Sequence, residues 1–147
     1  MALGEFHSKK VPVKIQNGVK VNLTLLPSEV DNGIFFKRTD IDGEKNMIEA
    51  NYKNVNSPIL CTKIQNSHGV SVSTIEHLMA AFYGEGIDNV LIEIDAPEVP
   101  IMDGSSFDFV EAIRSVGTKE QNKPKKFIKV LKKVEVEDGQ KHISIET

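Results

Sequence analysis

Apolar and polar residues alternate from Val19 to Leu25, with Val19, Val21, Leu23 and Leu25 on one side and Lys20, Asn22 and Thr24 on the other. A period of two belongs to a strand with one buried face, and Pro27, which has no amide proton for a ladder, ends it. Asp31-Asn32-Gly33 is a turn signal that runs into Ile34-Phe35-Phe36, so a second strand is expected within residues 30–38. Strand-like content recurs at 47–55 and 60–64 on either side of the Asn56-Ser57-Pro58 break. Ser67-His68-Gly69 then turns the chain into residues 70–72.

The period changes at residue 75. Ile75, Leu78, Met79 and Phe82 fall at i, i+3, i+4 and i+7, one face of a helix, with Ser73 or Thr74 placed to cap its start and Gly84 and Gly86 to stop it. Residues 89–94 read as a strand. The segment from Ala96 to Gly104 carries Pro97 and Pro100, which prevent regular pairing. A second helix is expected from Ser105 or Ser106, because Phe109, Ala112, Ile113 and Val116 keep a helical period up to Gly117. Strands follow at 127–131, 134–137 and 142–145, the last two joined by Asp138-Gly139. Sheet, helix, sheet, helix, sheet implies an α+β two-layer sandwich: a mixed β-sheet packed on a pair of helices, with a small additional β element.

A length of 147 residues fits one domain with a real core, here residues 1–147. The net charge of −3, from 18 basic and 21 acidic residues, sets up no field to hold a nucleic-acid backbone or an anionic membrane. Lysines cluster only between 119 and 133, where they alternate with Ile128, Val130 and Leu131 like a strand with a solvated face. Cys61 is the single cysteine, which rules out an internal disulfide framework and suits a reducing compartment, so the cytoplasm is expected. The N-terminus lacks the basic-then-apolar order of a signal peptide, and no apolar run reaches the roughly 18 residues of a membrane span.

The candidate chemistry sits inside the first helical stretch, S-V-S-T-I-E-H-L-M-A-A at 71–81. Glu76 and His77 can each move a proton or bind a metal. Helix neighbours point about 100° apart, so the pair does not share a face as the two histidines of H-E-x-x-H do. Both can still approach one point beyond the first turn. The other explanation is structural: a carboxylate near a helix N-terminus is stabilised by the helix dipole, Ser73 or Thr74 with Glu76 approaches a capping arrangement, and His77 borders the buried face.

Three strings in order, S-T-I-E-H-L-M-A-A at 73–81, G-I-D-N at 86–89 and A-P-E-V-P-I-M-D-G-S-S at 96–106, resemble the bacterial UDP-3-O-acyl-N-acetylglucosamine deacetylases, zinc enzymes of lipid A synthesis. V-N-L-T-L-L-P at 21–27, N-G-I-F-F-K-R-T-D at 32–40 and L-C-T at 60–62 extend the resemblance, which runs from about Gly18 to the end. It covers only the first of that family's two similar α+β domains, whose active site lies between them. The resemblance implies that His77 is the zinc ligand of the first domain and that Glu76 is the general base. It implies that Leu60 and Cys61 line the site, although Cys61 also fits as a small buried strand residue. Asp103-Gly104 falls in a family motif, and a turn capping the second helix explains it equally well. The expected partners are a UDP-sugar acyl substrate and the C-terminal domain of the same protein, in a bacterium with an outer membrane.

Two departures matter. A catalytic zinc needs three protein ligands and an open position. The resemblance puts the other two, a His and an Asp, in the second domain, and no H-x-x-x-D or H-E-x-x-H occurs here. His7, His68 and His142 lie outside the matching motifs. The chain is thus expected to be the first half of the deacetylase, inactive alone. In addition, P-V-K-I-Q-N-G at 12–18 replaces the family's G-x-G-L-H, so Gln16 stands where a substrate-contacting His is expected; it can hydrogen-bond substrate but not as a cation. A catalytically inert binding or regulatory domain with the same fold is the competing reading. A nucleic-acid-binding α+β module is a further one, which the charge disfavours.

Overall fold

A computed structural model describes residues 2–3, 9–14, 20–57 and 59–147. Gln16 and His7 lie outside the described residues. The strands are β1 (Ala2–Leu3), β2 (Lys9–Lys14), β3 (Lys20–Pro27), β4 (Ile34–Arg38), β5 (Met47–Glu49), β6 (Val55–Ser57), β7 (Lys63–Gln65), β8 (Ser71–Val72), β9 (Val90–Ile94), β10 (Thr118–Lys119), β11 (Val134–Asp138) and β12 (Lys141–Ile145). The helices are α1 (Glu76–Gly84) and α2 (Phe107–Val116).

The main sheet has the order β2-β3-β9-β4-β5. All its pairs are antiparallel except β4 with β9, which makes the sheet mixed. A three-stranded antiparallel sheet, β6-β7-β8, is the additional element, and β1 pairs with β10. Alternation in β3 does what a period of two requires: Val21, Leu23 and Leu25 are buried, as are Phe36 of β4 and Val90, Ile92 and Ile94 of β9. They share one core with Leu78, Ala81 and Phe82 of α1 and Phe109 and Ile113 of α2. This is the expected α+β sandwich. The helical face expected from spacing is the buried one, with Met79 partly covered at its edge.

Four local expectations need correction. Residues 47–55 do not form one strand. The Asn51 side chain accepts a hydrogen bond from the Lys53 amide at 3.1 Å and so starts a 3-10 turn, Tyr52–Asn54, that separates β5 from β6. Residues 127–131 form no strand either, and Phe127, Ile128 and Leu131 stand in solvent. Alternation marks a face fit for burial, but a strand forms only where a neighbour supplies its ladder, and among the described residues none pairs with this segment. The β11–β12 hairpin turns at Gly139 (φ 61°) as expected, yet every residue of both strands is exposed. Residues 60–64 do not form one strand: Leu60, in the left-handed region at φ 65°, lies in a loop, and β7 begins only at Lys63. The start of α1 departs from expectation as well, since no side chain caps it.

The lysine cluster is a set of ion pairs. Lys123 and Lys126 reach the Asp31 carboxylate at 2.9 and 3.2 Å, and Lys125 reaches Asp88 at 2.9 Å. Gln121 joins them, accepting from Asn89 at 2.7 Å and donating to the Ser28 carbonyl at 3.0 Å. Residues 120–126 are thereby strapped to the turns that flank β4 and β9.

Candidate active site

The site forms where four separate segments meet the N-terminus of α1. Ser73 is stitched to the loop after β9: its amide donates to the Pro97 carbonyl and the Val99 amide donates to the Ser73 carbonyl, both at 3.0 Å. Thr74 follows in the left-handed region, with φ 58°, and is 6% exposed. Its hydroxyl donates to Glu98 Oε1 at 2.7 Å. The helix then begins at Glu76, with Ile75 in the capping position and no side-chain cap. The expectation that Ser73 or Thr74 caps α1 is therefore overturned. The Thr74 hydroxyl is committed to Glu98, and Ser73 Oγ to the Pro97 carbonyl at 3.2 Å, so neither serves the helix amides.

Glu76 takes no part in a capping box. Its Oε2 accepts the Thr62 amide at 3.0 Å, while Thr62 in turn accepts the Ile75 amide at 3.4 Å. The loop before β7 is thus tied to the first turn of α1 in both directions. Glu76 Oε1 accepts no hydrogen bond among the described residues and is left open. His77 is half-buried and likewise has no hydrogen-bond partner among the described residues, so its ring nitrogens keep their capacity for a ligand. Leu60 lies two residues before Thr62, in the left-handed region at φ 65° and fully exposed beside exposed Ile59. Cys61, a free thiol, is half-buried in this loop and not in a strand.

Asp103 stands at the start of α2. Its Oδ1 accepts from the Ser105 amide at 2.9 Å and the Ser105 hydroxyl at 2.8 Å, and Ser105 Oγ accepts from the Phe107 amide at 3.1 Å, so the turn explanation of Asp103-Gly104 is realised. The Ser105 hydroxyl, then the Ser105 amide, hold the Asp103 carboxyl below its ordinary range, and the charge of His77 acts in the same direction.

Behind the site, buried Arg38 grips Asp40 in a fork, Nε to Oδ1 at 2.7 Å and Nη2 to Oδ2 at 2.6 Å. Its third donor, Nη1, reaches the Ser71 carbonyl at 2.8 Å and fixes the strand that leads into α1. The Arg38 fork holds the Asp40 carboxyl below its ordinary range, against a smaller opposing effect of burial.

The structure thus brings Glu76, His77 and the 60–62 loop together. His68 is exposed on its turn, and His142 faces Glu135 at 3.3 Å on the hairpin. Among the described residues no three His, Cys, Asp or Glu side chains form a group able to hold a metal ion. A cleft of about 400 Å³ beside Asp31, Asp88 and Lys123 lies past the C-terminal end of α1, away from Glu76, and its ammonium groups are engaged in the ion pairs described above. Sequence reasoning missed Thr62, Thr74, Glu98 and Arg38 as builders of the site. Arg38 alone left a signal: it occupies the same inward register as Phe36, with an acid two residues on.

A sequence profile of the UDP-3-O-acyl N-acetylglycosamine deacetylase family matches residues 9–147. Among curated proteins, the UDP-3-O-acyl-N-acetylglucosamine deacetylase of Actinobacillus succinogenes is 47% identical over 137 residues, 93% of this chain and 45% of that protein. Its namesake from Aliivibrio fischeri is 47% identical over 133 residues, covering 90% and 43% respectively. The one from Shewanella violacea is 44% identical over 137 residues, covering 93% and 44%. The chain spans less than half the length of these relatives.

Proposed function

The chain belongs to the UDP-3-O-acyl N-acetylglycosamine deacetylase family, and on that premise we propose that it supplies the base-bearing part of a site that hydrolyses the N-acetyl amide of a UDP-3-O-acyl-N-acetylglucosamine in lipid A synthesis. The observation that carries this reading is the Glu76 carboxylate, anchored through Oε2 by the Thr62 amide and, among the described residues, open at Oε1, one residue from a histidine with no hydrogen-bond partner among them. A base needs one lone pair held in a fixed direction and the rest of its group immobilised, which this arrangement supplies.

In the proposed reaction Glu76 Oε1 takes a proton from the water that attacks the acetyl carbon and returns it as the carbon–nitrogen bond breaks, so that acetate and a free amine leave. His77 would hold zinc through a ring nitrogen, and the unengaged imidazole fits one position of the nitrogen-rich donor set zinc prefers. The further ligands are assigned to the C-terminal part that the relatives possess. Zinc, when bound, supplies Lewis-acid polarisation and lets water lose a proton at a pH of about 7. Leu60 and Cys61, on the loop that anchors Glu76, are assigned to substrate contact, Leu60 through its exposed apolar side chain. Gln16 is assigned the same role from sequence. Among the described residues no helix is long and apolar enough to cross a membrane, and we assign the reaction to the cytoplasm.

The test is reassembly. Mixed with the C-terminal part, expressed separately, the chain should release acetate from the UDP-sugar in a zinc-dependent manner. Glu76→Ala should lower kcat by about 100-fold or more, and His77→Ala should lower zinc retention. Full activity in Glu76→Ala would remove the base assignment. Binding of the UDP-sugar without acetate release in the reassembled protein would favour an inert binding domain.

A further inference from the structure

Thr74 is an unusual residue to find at φ 58°. A β-branched side chain in the left-handed region crowds its own backbone, and such conformations persist where the surroundings over-determine them. Here the restraints come from both sides of the turn. Ser73 is held on both its amide and its carbonyl by Pro97 and Val99, and the Thr74 hydroxyl is held by Glu98 at 2.7 Å. On the far side of the turn, Ile75 donates to Thr62 and Thr62 donates to Glu76. The left-handed residue redirects the chain between these two sets of contacts and sets the angle at which α1 leaves β8.

We propose that Thr74 and Glu98 are positioning residues, a latch between the 97–99 loop and the entry to α1 that aims the Glu76 carboxylate at the Thr62 amide. The inference rests on the reading of Glu76 as the base. It adds two residues that touch neither substrate nor metal and act through the helix start. The hydroxyl is what the latch requires. Glycine would adopt the same φ with less strain but leave Glu98 without its donor. Serine keeps the donor.

That difference gives the test. In the 147-residue chain, the Thr62 amide should exchange slowly with solvent deuterium at neutral pH, because the Glu76 carboxylate accepts its hydrogen bond; Glu76→Ala removes this protection and serves as the control. Thr74→Gly should remain folded and lose most of the protection, whereas Thr74→Ser and Glu98→Gln should retain it. In the reassembled protein, Thr74→Gly should lower kcat by about 10- to 100-fold, the range for a small misplacement of a reacting group, with KM changed by less than about twofold. A Thr74→Gly chain with full protection of the Thr62 amide overturns the latch, as does a Thr74→Ser chain as impaired as the glycine variant. Should Thr74→Gly not fold, Glu98→Ala decides on the same readout, loss of the Thr62 protection supporting the latch and retention overturning it. Activity that survives Glu76→Ala strikes the base reading alone, since exchange of the Thr62 amide still reports whether the latch aims the carboxylate.

Discussion

Replacing Asp40 by Asn tests the electrostatic support behind the site. The Arg38 side chain is 9% exposed and Asp40 33%. The substitution keeps shape but puts an amide group against one guanidinium donor and leaves the other a weaker acceptor. Arg38 keeps its bond to the Ser71 carbonyl at 2.8 Å. A hydrogen bond to a charged group contributes about 1.5–3 kcal/mol, and partial solvation of Asp40 discounts the larger figure, so a loss of about 2 kcal/mol is expected at neutral pH. With a urea slope of roughly 2 kcal/mol per molar, the unfolding midpoint should fall by about 1 M. The sign of the pH dependence follows from the lowered Asp40 pKa. A depressed folded-state value gives stability that is fully present above the unfolded value of 3.8 and is lost as pH falls through the folded one, below 3.8. Urea melts of both chains from pH 7 down to about 3 should therefore converge at the acid end. Equal midpoints at pH 7 would refute the reasoning, and so would a difference that persists undiminished in acid.

Two further outcomes follow from burial. Phe82→Ala, which removes a fully buried ring from the face of α1 that shares the core with α2 and the main sheet, should cost about 3–5 kcal/mol in the same urea assay, while Tyr83→Ala, on the exposed face, should change little. Hydrogen exchange of the 147-residue chain should be fast across β11–β12, whose residues are all exposed, and slowest in β9, which is central and buried; comparable protection in both would contradict the description of the hairpin.

The pattern of residues told most where one face meets one core. Val21, Leu23 and Leu25 alternate because β3 has a buried side, and Ile75, Leu78 and Phe82 repeat because α1 does. The same rule misread 127–131, since Phe127, Ile128 and Leu131 are apolar but pair with no strand among the described residues. The candidate site was legible in its chemistry and not in its assembly. Glu76 and His77 stand out by type in an apolar helix. What orients Glu76, however, is the backbone amide of Thr62, and backbone donors carry no mark in a sequence. Thr74 reads as an ordinary helix cap because its real partner, Glu98, lies 24 residues away. Nothing local distinguishes the two uses of a threonine hydroxyl.

The double tie between Thr62 and the start of α1 has a consequence for anyone who would transplant the motif. Residues 71–84 grafted alone onto another scaffold would carry the acid and the imidazole but not their aim, which is borrowed from the 60–62 loop and from Glu98. The smallest portable unit is therefore the stretch from about residue 59 to residue 99, strand β9 included, and it would still need a host that supplies the partners of β9.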